Sequence, residues 1–94
     1  MDHAPELRAS LRIRNKLGMH MRAAQLLVKT AERFDAEVRL AKDGKVVNGT
    51  SIMGVMMLAA EQGSEIEVTT RGPQAAEALE ALRELVAAGF HEKE

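Results

Sequence analysis

The chain has 94 residues, 13 of them basic and 14 acidic for a formal charge of −1, and nearly half are hydrophobic. That length carries one buried core without staples, and the charge balance gives no general attraction to nucleic acid or to an anionic membrane. With no cysteine, no Trp, no Tyr and only two Phe, disulfides, thiolate chemistry and aromatic stacking platforms for single-stranded nucleic acid are excluded.

Residues 1–6 carry two acids and no apolar run, so no signal peptide is legible there, and His3 reads as a solvated tail residue. From 7 to 14 the chain alternates, with Leu7, Ala9, Leu11 and Ile13 on one side and Arg8, Ser10, Arg12 and Arg14 on the other. This is the pattern of a half-buried strand. Polar and glycine residues follow from Asn15 to Met19. Ala23, Leu27, Thr30, Ala31 and Phe34 then recur at helical spacing and predict an amphipathic helix over about 20–34.

Val38 and Leu40 alternate with Glu37 and Arg39 in a second strand, and Asp43-Gly44 is a hairpin signal leading into Lys45, Val46 and Val47. After Asn48-Gly49, Thr50 or Ser51 caps a short helix expected over about 52–60 and ended by Gly63. Its apolar stretch, broken by Gly54, is too short to span a membrane. Ile66 and Val68 alternate with Glu65, Glu67 and Thr69 in a fourth strand. Gly72-Pro73 is expected to open a last helix with proline at its first position, and Ala75, Ala78, Leu79, Leu82, Leu85 and Val86 form its apolar stripe. Gly89 ends it, Phe90 folds back on the core, and 91–94, with His91, are expected to fray. Strands that bury one face predict an α+β fold, order βαββαβα, with helices on one side of an antiparallel sheet.

His20 is the histidine placed for chemistry. It sits where the Lys16-Leu17-Gly18-Met19 loop meets a helix start, beside unpaired backbone amides and the positive end of the helix dipole. An imidazole there can attack a phosphoryl group, and Arg22 adds a planar cation suited to phosphate oxygens. Spacing alone leaves His20 either such a nucleophile or an ordinary histidine at a helix start. A metal site lacks a second histidine one turn away, and nothing orients a hydrolase triad. Three of the six methionines, Met53, Met56 and Met57, fall within five residues. They either fill the core or present an adaptable binding surface, which Met19 and Met21 would extend. Ser51 is either a helix cap or a regulatory phosphorylation site.

Asn15-Lys16-Leu17-Gly18-Met19-His20-Met21-Arg22-Ala23-Ala24 resembles the active-site segment of the HPr family, the histidine phosphocarriers of the bacterial phosphoenolpyruvate-dependent phosphotransferase system. Ser51-Ile52-Met53-Gly54-Val55-Met56 resembles the regulatory-serine segment of that family, at the family's separation. The resemblance covers about residues 7–90 and implies one domain over 1–94 with an HPr-like open-faced sandwich, a four-stranded antiparallel sheet and three helices on one face. It implies a cytoplasmic relay protein, without cofactor or metal and not an enzyme in its own right. In such a relay enzyme I phosphorylates Nδ1 of His20, Arg22 assists, and the group passes to an EIIA-type protein. It also implies a docking surface of Ile52, Met53 and Met56 with Gln25 and Lys29, and Ser51 as a target of HPr kinase/phosphorylase. A monomer is expected, because transient partners need a free face. Ala23 stands where the family usually carries proline, and Met21 where it carries a small residue. Asn15-Lys16-Leu17-Gly18-Met19-His20, with Gly72-Pro73-Gln74 and Ala88-Gly89-Phe90, resembles the nitrogen-related (NPr) branch, whereas the Ser51 segment resembles the sugar branch. Two other readings remain at this point. One is a regulatory binding module controlled by Ser51 with His20 idle; the other is a ferredoxin-like module, whose element order is shared.

Overall fold

The computed structural model describes residues 6–92; His3, Lys93 and Glu94 lie outside them. Strands β1 (Glu6–Arg12), β2 (Glu37–Lys42), β3 (Lys45–Asn48) and β4 (Glu65–Arg71) form one antiparallel sheet in the order β1-β4-β2-β3. Helices α1 (Met21–Glu32), α2 (Ile52–Met57) and α3 (Ala75–Ala87) follow β1, β3 and β4 in the chain. The expected order βαββαβα and the antiparallel sheet are both observed.

The register shows why one face is covered. Ala9 lies opposite Val68, Val68 opposite Leu40, and Leu40 opposite Val47, so one apolar rung crosses all four strands. The next rung, Arg8, Thr69, Arg39 and Asn48, points the other way and is polar. Leu40, Ile66 and Val68 are fully buried beneath Leu27 and Ala31 of α1, Val55 of α2 and Leu82 and Val86 of α3. Each large aliphatic side chain taken from water in this way contributes about 1.5–3 kcal/mol. The β2–β3 turn needs a positive φ at both central residues, and Asp43 (51°) and Gly44 (81°) supply it.

Besides β1 and α1 stopping two residues short, at Arg12 and Glu32, three element ends differ from expectation. Helix α2 stops at Met57, well before residue 60, and Ala59 adopts φ 50°. The reason is that the Ala60 carbonyl turns to accept the Met19 N–H at 2.8 Å, tying the end of α2 to the loop before α1. Helix α3 begins at Ala75, so Pro73 precedes it. Gln74 is held outside the helix by exchanging two bonds with Asp35, its N–H donating to the Asp35 carbonyl and its Oε1 accepting the Asp35 N–H. The third difference is the segment expected to fray: Gly89–His91 form a 3-10 turn, Phe90 is buried, and Glu92 returns to the fold.

Gly18 makes the loop–α2 junction possible. Its φ is 67°, and a Cβ there would sit 2.5 Å from the Ala60 carbonyl oxygen. Gly63 also has a positive φ but would have nothing within 4 Å. Gly63→Ala is therefore expected to cost only the backbone strain, about 1 kcal/mol, and Gly18→Ala at least about 2 kcal/mol more through displacement of 60–61. Urea denaturation of the two variants checks this, and equal midpoints would refute it.

Candidate functional site

Helix α1 starts without an acidic residue in its first turn, and its cap is His20 itself. The backbone of His20 is extended (φ −82°, ψ 179°), its carbonyl accepts the first helical bond from Ala24, and its ring Nδ1 accepts the Arg22 N–H at 3.2 Å. The imidazole thus takes the place a serine or aspartate side chain usually fills. Since Nδ1 is an acceptor, the proton of the neutral ring sits on Nε2.

Nε2 faces Glu92, whose Oε2 accepts from it. The other carboxylate oxygen, Oε1, accepts from Asn15 Nδ2 at 3.1 Å, and the same Nδ2 donates to the Gly18 carbonyl at 2.8 Å. Asn15 is buried, so the loop before the helix, the ring and the C-terminal segment form one polar cluster. The bond from His20 is the main reason the Glu92 carboxyl is held below its ordinary pKa; partial burial opposes this, while the Asn15 bond, the charge of the His20 ring in its protonated form and the charge of Arg22 add to it. The ring remains accessible, with 28% of its side-chain surface exposed.

The other residues singled out in the sequence divide into two sets. Gln25, Val28 and Lys29 of α1 and Ser51, Ile52 and Met53 at the start of α2 line one groove. Met21 and Met53 are exposed, Met56 is partly buried, and Met57 is exposed as well. Met19 is a correction. It is 6% exposed and packs in the core, because its N–H bond to Ala60 draws the loop down onto the end of α2. It contributes no surface beside His20; the exposed apolar residue of that loop is Leu17. Ser51 caps α2, its Oγ accepting the Gly54 N–H at 3.0 Å. Glu92, Asn15 and Leu17 were not marked as site residues from the sequence. Only Asn15 carried a signal, as a polar residue continuing the inward side of the β1 alternation.

A family model described as the PTS HPr component phosphorylation site matches residues 7–88. The chain belongs to the HPr family. It is 48% identical over 88 residues to the phosphocarrier protein HPr of Neisseria meningitidis serogroup A, covering 94% of this chain and 99% of that protein. It is 41% identical over 87 residues to the phosphocarrier protein NPr of Klebsiella oxytoca, covering 92% and 97%. The crystal structure of HPr-C-His from Thermoanaerobacter tengcongensis shares the fold with a TM-score of 0.90 at 38% identity, covering 94% of this chain and 99% of that one. The function of this HPr family member is that of a phosphocarrier of the phosphotransferase system.

The lowered pKa of Glu92 has a pH consequence. Between its folded and its ordinary value the unfolded chain binds the extra proton, so the stabilisation is fully present above the ordinary value and is lost as pH falls through the folded one. Acidification is therefore expected to release Glu92 from His20 and Asn15 only below the normal glutamate range. Carboxyl-carbon NMR titration of Glu92 checks this, and a midpoint at or above that of an exposed glutamate would refute it.

Proposed function

We propose that the chain relays a phosphoryl group through Nδ1 of His20, taking it from enzyme I and passing it to an EIIA-type acceptor. The observation that carries this reading is the N-cap geometry, which aims the unprotonated Nδ1 at the first free amides of α1. When Nδ1 bonds to phosphorus, the bond between phosphorus and the donor breaks and its electron pair stays on the donor. The Arg22 N–H that held Nδ1 is then free to donate to a phosphoryl oxygen, where the helix start favours negative charge. The Arg22 guanidinium, exposed beside the ring in sequence, supplies further donors without a cofactor. In this reading the whole chain, 1–94, works as one domain and a monomer in the cytoplasm. It is a carrier rather than an enzyme, and among the described residues no helix is long and apolar enough to cross a membrane.

Incubation with phosphoenolpyruvate and enzyme I is expected to place one acid-labile phosphoryl group on the protein and none on His20→Ala. Arg22→Ala is expected to slow loading about tenfold, the worth of one charge-assisted hydrogen bond of about 1.5 kcal/mol. Label retained by His20→Ala would sink the relay.

Ser51 supports a second, regulatory role, because it both caps α2 and lines the groove that holds Gln25, Lys29 and Met53. A phosphate there is tolerated by the helix start, so HPr kinase/phosphorylase acting on it would alter docking rather than folding. Ser51→Asp retains a capping oxygen and is expected to keep the wild-type stability within about 0.5 kcal/mol while slowing loading by enzyme I. Ser51→Ala is expected to lose about 1 kcal/mol with loading unchanged. Thermal unfolding beside loading kinetics separates the two, and a Ser51→Asp protein that loads at the wild-type rate argues against regulation at this position.

A further inference from the structure

The strand order leaves two outer edges on the sheet, one along β1 and one along β3. β3 offers four residues, whereas β1 offers seven, Glu6–Arg12, paired with β4 in unbroken register and containing no proline. Such an edge is a template for another strand. The end of β1 shows which of its residues face outward. The Ile13 N–H donates to the Ser64 carbonyl at 2.9 Å and the Ile13 carbonyl accepts the Gly63 N–H at 2.8 Å, so both groups turn toward the β4 side. Backbone groups alternate sides along an antiparallel strand. Leu7, Ala9 and Leu11 therefore bond to β4, and Glu6, Arg8, Ser10 and Arg12 aim their N–H and carbonyl groups away from it. Among the described residues, no hydrogen bond reaches the outward groups of Arg8, Ser10 and Arg12.

We propose that the outer edge of β1 docks on the same edge of a second copy of this chain, antiparallel and centred on Ala9, joining two sheets into one. The strand is self-complementary about that residue. With Ala9 facing Ala9, Glu6 falls opposite Arg12 of the second copy, Arg8 opposite Ser10 and Leu7 opposite Leu11, and two-fold symmetry makes each of these pairings twice. The outward backbone groups then exchange bonds at the Glu6–Arg12 and Arg8–Ser10 pairs. Leu7, Ala9 and Leu11 form the closer, non-hydrogen-bonded pairs on the helix-covered face, where Leu7 and Ala9 are only partly buried in the single chain. Charge selects the register, because moving the axis to Arg8 or to Ser10 sets Arg8 against Arg8 or against Arg12. Glu6 and Arg12 already pair within the chain, with Arg8 at 3.3 Å and Glu65 at 3.1 Å, but these contacts are exposed and hold the charges back only weakly. The docking groove stays clear, since α2 lies against β3 at the opposite end of the strand order and α3 covers β1. Seven residues a side fall short of the roughly twenty that a stable interface uses. The pair therefore forms only toward millimolar concentration, and the single chain remains the working unit below it. The inference does not depend on the relay reading.

Sedimentation of the full chain from micromolar to millimolar concentration, with amide exchange followed by NMR, tests the pairing. Self-association is expected with a Kd of about 0.1–1 mM. The Arg8, Ser10 and Arg12 amides are expected to exchange more slowly as concentration rises, while those of Ala9 and Leu11 are slow throughout. E6R and R12E each place like charges opposite one another at both symmetric positions and are expected to weaken association at least about tenfold. The double variant E6R/R12E restores the complementarity and is expected to recover the wild-type Kd within about threefold. A chain that stays single at about 1 mM, or a pair indifferent to R12E, overturns the proposal. A double variant as weak as the single ones overturns the register centred on Ala9. Intermolecular contacts running from β1 to β4 of the second copy also overturn it, because exchange of the whole strand uses the other edge.

Discussion

Helix α1 begins with no serine, threonine, aspartate or asparagine at its cap, so the first unpaired amide there bonds to the ring of His20. That one bond does two jobs. It completes the helix start, and it holds Nδ1 unprotonated at the place where a helix favours anions. Everything nearby serves to keep the ring there. Gly18 turns the loop, Met19 anchors it to Ala60 and to the core, and Asn15 closes it through the Gly18 carbonyl. The side chain proposed to carry the phosphoryl group is itself a structural part of the helix it stands on.

Much of this arrangement was legible from the residues. The strands alternated cleanly because one face of the sheet meets solvent, and the helix that begins after His20 announced itself by its apolar spacing. Element ends were less legible where tertiary bonds overrode local preference. Met57 ends α2 because Ala60 is drawn to Met19, and Pro73 stays outside α3 because Gln74 is paired with Asp35. Met19 looked like a surface residue by its neighbourhood to His20, yet a glycine with positive φ just before it turns the side chain inward.

Glu92 shows where reading by pattern stops. A charged residue after a terminal Gly-Phe looks like a solvated tail, and no periodicity links it to a loop nearly eighty positions earlier. The link is made by a buried phenylalanine and by left-handed backbone at a non-glycine residue, neither of which has a sequence signature. Groove residues from α1 and α2 were easier, because the family's motifs already placed Gln25, Lys29, Ile52 and Met53 together, and the fold brings them to one wall-to-wall groove.

The order of the strands also bears on how the molecule assembles. The last strand, β4, is the one that sits between β1 and β2, pairing Glu6 with Arg71 on one side and Glu37 with Arg71 on the other. As the chain leaves the ribosome, β1 has no neighbour until residues beyond 70 have emerged, whereas the β2–β3 hairpin can close at once. Contacts of such long sequence separation slow folding, and they leave the first strand waiting with open backbone groups on both edges.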